Sequence, residues 1–298
     1  MISALSVMIL PSTLFWTSCI HTEGILYMLL GFFLYHLCCN WAAGSESPGP
    51  TSGSSVRFQP LLYSLFFFGL MVFFRSAMAI SLLPAIGFWW LAGRFPNRRI
   101  FAIVAGMTLA IFILVLAIPG IASGFLHTLS ARQLEFQSLI GNSRLNLPKL
   151  EPTWKSFLTL LPTASFNGFF QPLPGRGGQL VYSLFSIELI LIWAIVAYSI
   201  MSLFIRKGNS SLPSFTPSDL TPTSQALLPF LATSVGCLLF SLTGMLLIGY
   251  IVPFAGAIVR YRSIFLPFLL APFLHIISKH ALIHRLNSQL QKFLVTLD

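Results

Sequence analysis

The chain has 298 residues, of which 56% are hydrophobic and only 8% charged, and it carries a net charge of +10. Soluble domains have about 25% charged residues, so a water-soluble fold of this size would have too few charges to cover its surface. The apolar residues come in runs long enough for the bilayer core and without the alternation of a transmembrane β-barrel, which predicts an all-α, polytopic helical transmembrane bundle.

In chain order, hydrophobic spans fall at about 3–20, 24–41, 59–75, 76–93, 100–122, 180–204, 225–249 and 252–278, about eight in all. The third and fourth are short and meet at Arg75, so they read either as two tight spans or as a re-entrant pair. Pro11, Pro84, Pro119, Pro229, Pro253, Pro267 and Pro272 lie inside the runs and predict kinked helices. Residues 42–58 are a polar Ser/Gly/Pro linker, 94–99 a compact basic turn, and 205–224 a basic then Ser/Thr/Pro-rich linker. Residues 123–179 are too long for a simple connection. Apolar spacing predicts an amphipathic helix at 125–140 and a second short one from Thr153 to Leu161, together a small helical cap on the membrane. The tail 279–298, with Leu282, Leu286, Leu290 and Phe293 at helical spacing, reads as an amphipathic surface helix. The whole of 1–298 is one integral membrane domain with no separate soluble unit.

If eight spans alternate, the three basic linkers and the tail share a side. They hold Arg57, Arg94, Arg98, Arg99, Arg206, Lys207, Lys279, Arg285 and Lys292. The positive-inside rule then places them and both termini in the cytoplasm and the 123–179 cap outside, although that segment carries five basic residues of its own. The same charge reads as topology-setting and not as a nucleic-acid surface, because no zinc-finger spacing, RNA-binding signature or long basic helix accompanies it. Cys19, Cys38, Cys39 and Cys237 lie in or beside apolar runs without metal-ligand spacing, and no disulfide framework is expected.

Charge at membrane depth is costly and marks functional candidates. One group is His21-Thr22-Glu23 in the first turn, which reads either as a site or as solvated turn residues. A second is Arg75, which reads either as a site or as a side chain snorkelling to the interface. A third is Arg260-Tyr261-Arg262 in the last span. Two arginines two apart on a helix point about 200° apart. Either one faces a site while the other pairs elsewhere, or Pro253 and Gly256 open the helix so that both reach one cavity. Under the assigned topology all three groups lie toward the outer face. A guanidinium fork suits a phosphate held at that depth, a carboxylate such as Glu23 suits a general base, and His21 is the alternative base. Glu188, inside the sixth span, reads as a structural partner for an arginine or as part of the site. There is no GxSxG, Walker A or HExxH motif, and the few acidic residues form no obvious divalent-cation site.

The stretch Leu10-Pro-Ser-Thr-Leu-Phe-Trp-Thr-Ser-Cys-Ile-His-Thr-Glu-Gly and the later Gly256-Ala-Ile-Val-Arg-Tyr-Arg, followed by Ser263 and Pro267, resemble segments of bacterial polytopic proteins of surface-polysaccharide synthesis. These proteins are grouped with type-C glycosyltransferases and O-antigen-type polymerases. The resemblance covers about 40 residues in two places. The Lys that precedes the Glu in such proteins is Thr22 here. Type-C enzymes place a catalytic acid in the first outer loop, a position that Glu23 alone fits in this sequence. The resemblance begins almost at Met1, which leaves open a missing N-terminal portion that held the acid.

The resemblance implies a glycosyltransferase of the bacterial inner membrane. It would move a sugar from a lipid-linked sugar phosphate to a glycan acceptor at the extracytoplasmic face, among membrane lipids. No cofactor is expected, and the scarcity of clustered acidic residues favours a metal-independent reaction. Arg75, Arg260, Tyr261, Arg262 and Glu188 would bind substrate, and Glu23 or His21 would activate the acceptor. The alternatives are a non-catalytic lipid-linked glycan transporter or flippase subunit, and a truncated inactive membrane protein.

Overall fold

A computed structural model describes residues 10–17, 22–45, 58–94, 103, 106–108, 110, 118–141, 143–174, 180–209 and 222–278. Its main helices in chain order are α1 (Pro11–Thr17), α2 (Thr22–Ser45), α3 (Phe58–Arg94), α4 (Pro119–Gln137), α5 (Trp154–Phe170), α6 (Leu180–Asn209), α7 (Pro222–Ile251), α8 (Ala255–Arg262) and α9 (Leu266–Ser278). Among the described residues there is no strand, only an isolated bridge between Arg144 and Phe254. Helix is the outcome expected where apolar runs must satisfy their own backbone polar groups.

Three helices are long and apolar enough to cross a membrane: Gln59–Ala92 of α3, Tyr182–Ser202 of α6 and Ala232–Ile251 of α7. The bent pair α8–α9 makes a fourth if it is one span, and Thr22–Leu37 of α2 is a shorter apolar helix. Most of the expected spans 3–20 and 100–122, and the tail 279–298, lie outside the described residues.

Side-chain pairing gives the helix directions. Stacking of Phe32 on Phe67 and of His36 on Tyr63 and Phe67 sets α2 antiparallel to the first half of α3. Trp89 Nε1 donates to the Ala232 carbonyl, whereas Ser76 and Ala77 share a cavity wall with Leu247 and Ile251. The second half of α3 is therefore antiparallel to α7. The Tyr27–Phe268 and Phe240–Phe268 contacts and the Ser241 hydroxyl bond to the Phe265 carbonyl fix α2, α7 and α9 relative to one another. Taken together, both halves of α3 lead away from Arg75 on the same side. Arg75 itself has non-helical φ/ψ of −158° and 90°. A straight helix of 34 residues would be about 51 Å long, against a hydrocarbon core of about 30 Å. The break resolves that excess, and Arg75 sits at the tip as the sequence predicts.

The expected span 252–278 is divided at residues 263–265, and its two parts are bent by 58°. Pro253 begins this region, and the Arg144–Phe254 bridge explains how its backbone is held. Leu145 N–H donates to the Pro253 carbonyl at 2.6 Å and Ala255 N–H to the Ser143 carbonyl at 3.0 Å. The chain segment between α4 and α5 thus pins the start of α8. Gln133 of α4 completes the attachment. Its amide donates to the carbonyls of Tyr250 (2.9 Å) and Pro148 (3.2 Å) and accepts from Leu150 N–H (2.6 Å).

The two helices expected in 123–179 differ in length from their expected ranges. The first is Pro119–Gln137 and the second Trp154–Phe170, nine residues beyond Leu161. Thr153 caps the second by accepting from Ser156 N–H. Pro162 lies within α5 without ending it, because the following turns are packed against α7. Ala164 and Gly168 face Gly249 and the Met245 carbonyl so closely that a Cβ on Gly249 would lie 1.9 Å from the Ala164 carbonyl oxygen. Small residues of this kind let helix backbones approach without water-driven burial.

Gly249→Ala should destabilise the fold by about 1–3 kcal/mol through overpacking. Gly69→Ala, at a helical position with open space around it, should be neutral or slightly stabilising. Thermal unfolding of the two variants in detergent distinguishes them, and equal midpoints would contradict the packing account.

Candidate functional site

The first turn of α2, the break in α3 and the last turn of α8 meet at one end of the bundle. Glu23, 1% exposed, lies at their junction. Arg260 Nη2 donates to Glu23 Oε2 at 2.7 Å, and Arg75 Nη1 donates to Oε1 at 3.3 Å. Each carboxylate oxygen therefore has its own guanidinium. The arginine side chains are 30% and 25% exposed, so the clamp is buried on the carboxylate side and partly open on the cation side.

Tyr261 sits between the cations. The Arg75 guanidinium carbon is 3.6 Å from the Tyr261 ring centre, and that of Arg260 is 5.9 Å from it and 5.5 Å from the Trp16 ring. Aromatic faces support a cation where little water is available. The Nε–H groups of Arg260 and Arg262 are both buried with no acceptor among the described residues.

A cavity adjoins each arginine. The one at Arg75, about 340 Å³, is bounded by Arg75, Arg132, Glu135, Phe136 and Tyr261 and closed below by Ile248 and Phe265. The one at Arg260, about 410 Å³, is walled by Phe15, Trp16, Tyr182, Phe185 and Tyr261. Both volumes are in the range of about 300–1,000 Å³ usual for small-molecule sites. Glu23 lies behind the two arginines, between the cavities, without lining either.

Arg262 has a different surrounding from Arg260. It is 1% exposed, and its Nη1 donates to the Gln171 carbonyl at 2.5 Å and lies 3.5 Å from the Gly168 carbonyl. It holds the end of α5 against α8. Glu188, also buried, accepts from Ser12 Oγ at 2.8 Å and from Ser12 N–H at 3.2 and 3.3 Å, tying α6 to the start of α1. Of the two arrangements open to Arg260 and Arg262, the divergent one is realised. Glu23, Arg75, Arg260 and Tyr261 converge, Arg262 and Glu188 form a supporting layer, and His21 lies outside the described residues. Sequence reasoning had no place for Arg132, whose ion pair to Glu135 on α4 at 2.8 Å borders the Arg75 cavity. Its helical i,i+3 spacing from Glu135 was the available signal. Among the described residues no cluster of three or more His, Cys, Asp or Glu could hold a metal ion.

No family model matches the chain, and neither the curated proteins nor the solved structures contain a match. The fold and site therefore define a class by their own features: an all-helical chain with membrane-length apolar helices and a carboxylate clamped between two arginines at one end of the bundle.

Removing one side of a buried ion pair leaves an uncompensated charge, which commonly costs 3–5 kcal/mol. The arginines retain some water, so Arg260→Ala should destabilise by less, about 2–3 kcal/mol. Glu23→Gln in the same chain should recover most of that loss. Stability measured around the double-mutant cycle should show coupling above about 1 kcal/mol; simple additivity would mean that the clamp contributes no interaction energy.

Proposed function

We propose that this chain is an eight-span bacterial inner-membrane enzyme of cell-envelope glycan assembly. It transfers a sugar from a lipid-phosphate-linked donor to a glycan acceptor at the extracytoplasmic face. The observation that carries the reading is the shared carboxylate: Glu23 lies between two arginines, and each arginine borders its own cavity. Two substrates can thus reach the two arginines that flank one buried carboxylate, each from its own cavity.

The helix directions support the orientation reading. The carboxyl end of α2, both ends of α3, the carboxyl end of α6 and the start of α7 all lie opposite the clamp. These are the ends joined to the basic linkers, so the positive-inside rule directs the clamp and cap outward.

In the resting clamp, Glu23 occupies the arginine donors that a phosphate would use. Donor phosphate at Arg75 or Arg260 competes for those donors and releases the carboxylate. Glu23 then accepts the proton of an acceptor hydroxyl as its oxygen bonds to the anomeric carbon. The bond from that carbon to the phosphate oxygen breaks, and the lipid phosphate leaves with the electron pair. The guanidinium groups hold its negative charge. Arg262 and Glu188 keep α8 and α6 in place for this exchange.

A second reading is a lipid-linked glycan transporter, favoured by breaks at Arg75 and at 263–265 beside charged residues, since transporter sites use discontinuous helices. Reconstituted protein separates the two. Radiolabelled sugar should pass from a polyprenyl-phosphate-linked donor to glycan, and Glu23→Gln should slow it by about 10²–10⁴-fold, as removal of a general base does. Flip of the donor across the vesicle without transfer would select the transporter. Undiminished transfer by folded Glu23→Gln protein would remove Glu23 from the chemistry.

A further inference from the structure

The Arg75 cavity continues into a second, larger one. A groove of about 560 Å³ runs between the second half of α3 and α4, and Ser76, Ala77, Arg132, Leu247 and Ile251 border both spaces. Beyond that junction its wall is mostly apolar: Ile80, Leu83 and Pro84 on one side and Ile121 and Phe125 on the other, with Thr108 as a further polar lining residue. The hydroxyl of Thr128, which also borders it, is spent on the Gly124 carbonyl of its own helix at 2.7 Å. Among the described residues the α4 side leaves room at two positions, because Gly120 and Gly124 carry no side chain and a Cβ on either would meet no atom within 4 Å.

Its dimensions are informative. From Ser76 to Gly87 the α3 wall extends roughly 16 Å at 1.5 Å per residue. That is about half of a 30 Å hydrocarbon core, the depth of one leaflet. The upper end is cationic, with Arg75 and Arg132; Glu135 accompanies them, but its exposed pair with Arg132 is weak and yields readily to an anion. A positive head end and a single apolar trough one leaflet deep are complementary to an amphiphile with one hydrocarbon chain on a phosphate.

We infer that the α3–α4 groove seats the hydrocarbon chain of a single-chain lipid phosphate whose phosphate lies at Arg75 and Arg132. This deepens the proposed transfer reading, on which it rests for the identity of the site. It assigns the donor to the Arg75 side and leaves the aromatic-walled Arg260 cavity to the acceptor. It also explains the glycines of α4: a larger residue there would occupy the path of the chain.

The test uses purified full-length protein in nanodiscs with geranylgeranyl phosphate as the probe, and phosphatidic acid and inorganic phosphate as the comparison ligands. Geranylgeranyl phosphate should bind at least tenfold more tightly than either. Gly124→Trp should weaken it at least tenfold, and Gly124→Ala should weaken it less. Phosphatidic acid binding as tightly as the probe would overturn the single-chain assignment, and unchanged probe affinity in folded Gly124→Trp would overturn the groove. A diazirine-bearing probe on the unaltered protein guards against a variant that does not fold. Cross-links should fall in 76–87 or 119–132, and cross-links confined elsewhere would reject the site. Groove-dependent binding without sugar transfer would defeat the enzyme reading but keep the groove; transfer that is indifferent to Gly124→Trp would do the reverse.

Discussion

Glu23 is nearly closed off from water, yet its partners come from positions 52 and 237 residues away along the chain. Moving a carboxylate into such a setting costs several kcal/mol unless charge and hydrogen bonds replace its hydration. Two guanidinium groups supply both, and to do so the first turn of α2, the tip of α3 and the end of α8 must stand at the same height. The directions of α2, α3 and α9 follow from that meeting. The ion pairs are therefore a constraint on topology as much as a source of stability, since separating these helix ends would leave the buried carboxylate without its partners.

α4 and the segment that follows it serve this constraint from the other side. Ser143 and Leu145 bind the backbone on either side of Phe254, and Gln133 binds Tyr250. These bonds absorb the polar groups freed where α7 stops and α8 begins, which would otherwise be stranded in an apolar setting. Arg262 adds the end of α5 through the carbonyls of Gly168 and Gln171. Arg260 is thereby presented from a short, doubly anchored helix, which holds its guanidinium at a fixed distance from Glu23.

Several parts of this arrangement are legible in the sequence. Apolar runs mark α6 and α7 within a few residues, and the rare charges mark Glu23, Arg75 and Arg260, because a charged group in an apolar run has few explanations. The break at Arg75 follows from the same logic, since an arginine between two short runs divides them more readily than it crosses lipid. Other parts were not legible for physical reasons. The extension of α5 through Pro162 depends on the tertiary fit of Ala164 and Gly168 against Gly249, which local propensity does not contain. The bond from Ser12 to Glu188 links positions 176 residues apart, and one uncharged serine carries no mark of it. Arg132 was hidden because a basic residue on an amphipathic cap helix looks like solvated surface until the adjoining cavity is seen.

The contrast between Arg260 and Arg262 bears on what the clamp is for. Both are in α8, separated by one residue and by roughly half a helical turn. Arg262 is buried and its Nη1 donates to backbone carbonyls, although its Nε–H has no acceptor among the described residues. Arg260 and Arg75 are bound instead to a side chain, keep a quarter to a third of their surface accessible, and face cavities. An arginine meant only to neutralise Glu23 would gain by being enclosed as Arg262 is, since water and salt weaken an exposed pair. Partial exposure on the cation side alone makes the pair exchangeable: an anion arriving from a cavity meets the guanidinium before it meets the carboxylate. Under the proposed transfer, the carboxylate would change from a counter-ion to a free base when that anion is in place, which would couple acid–base chemistry to occupancy of the site.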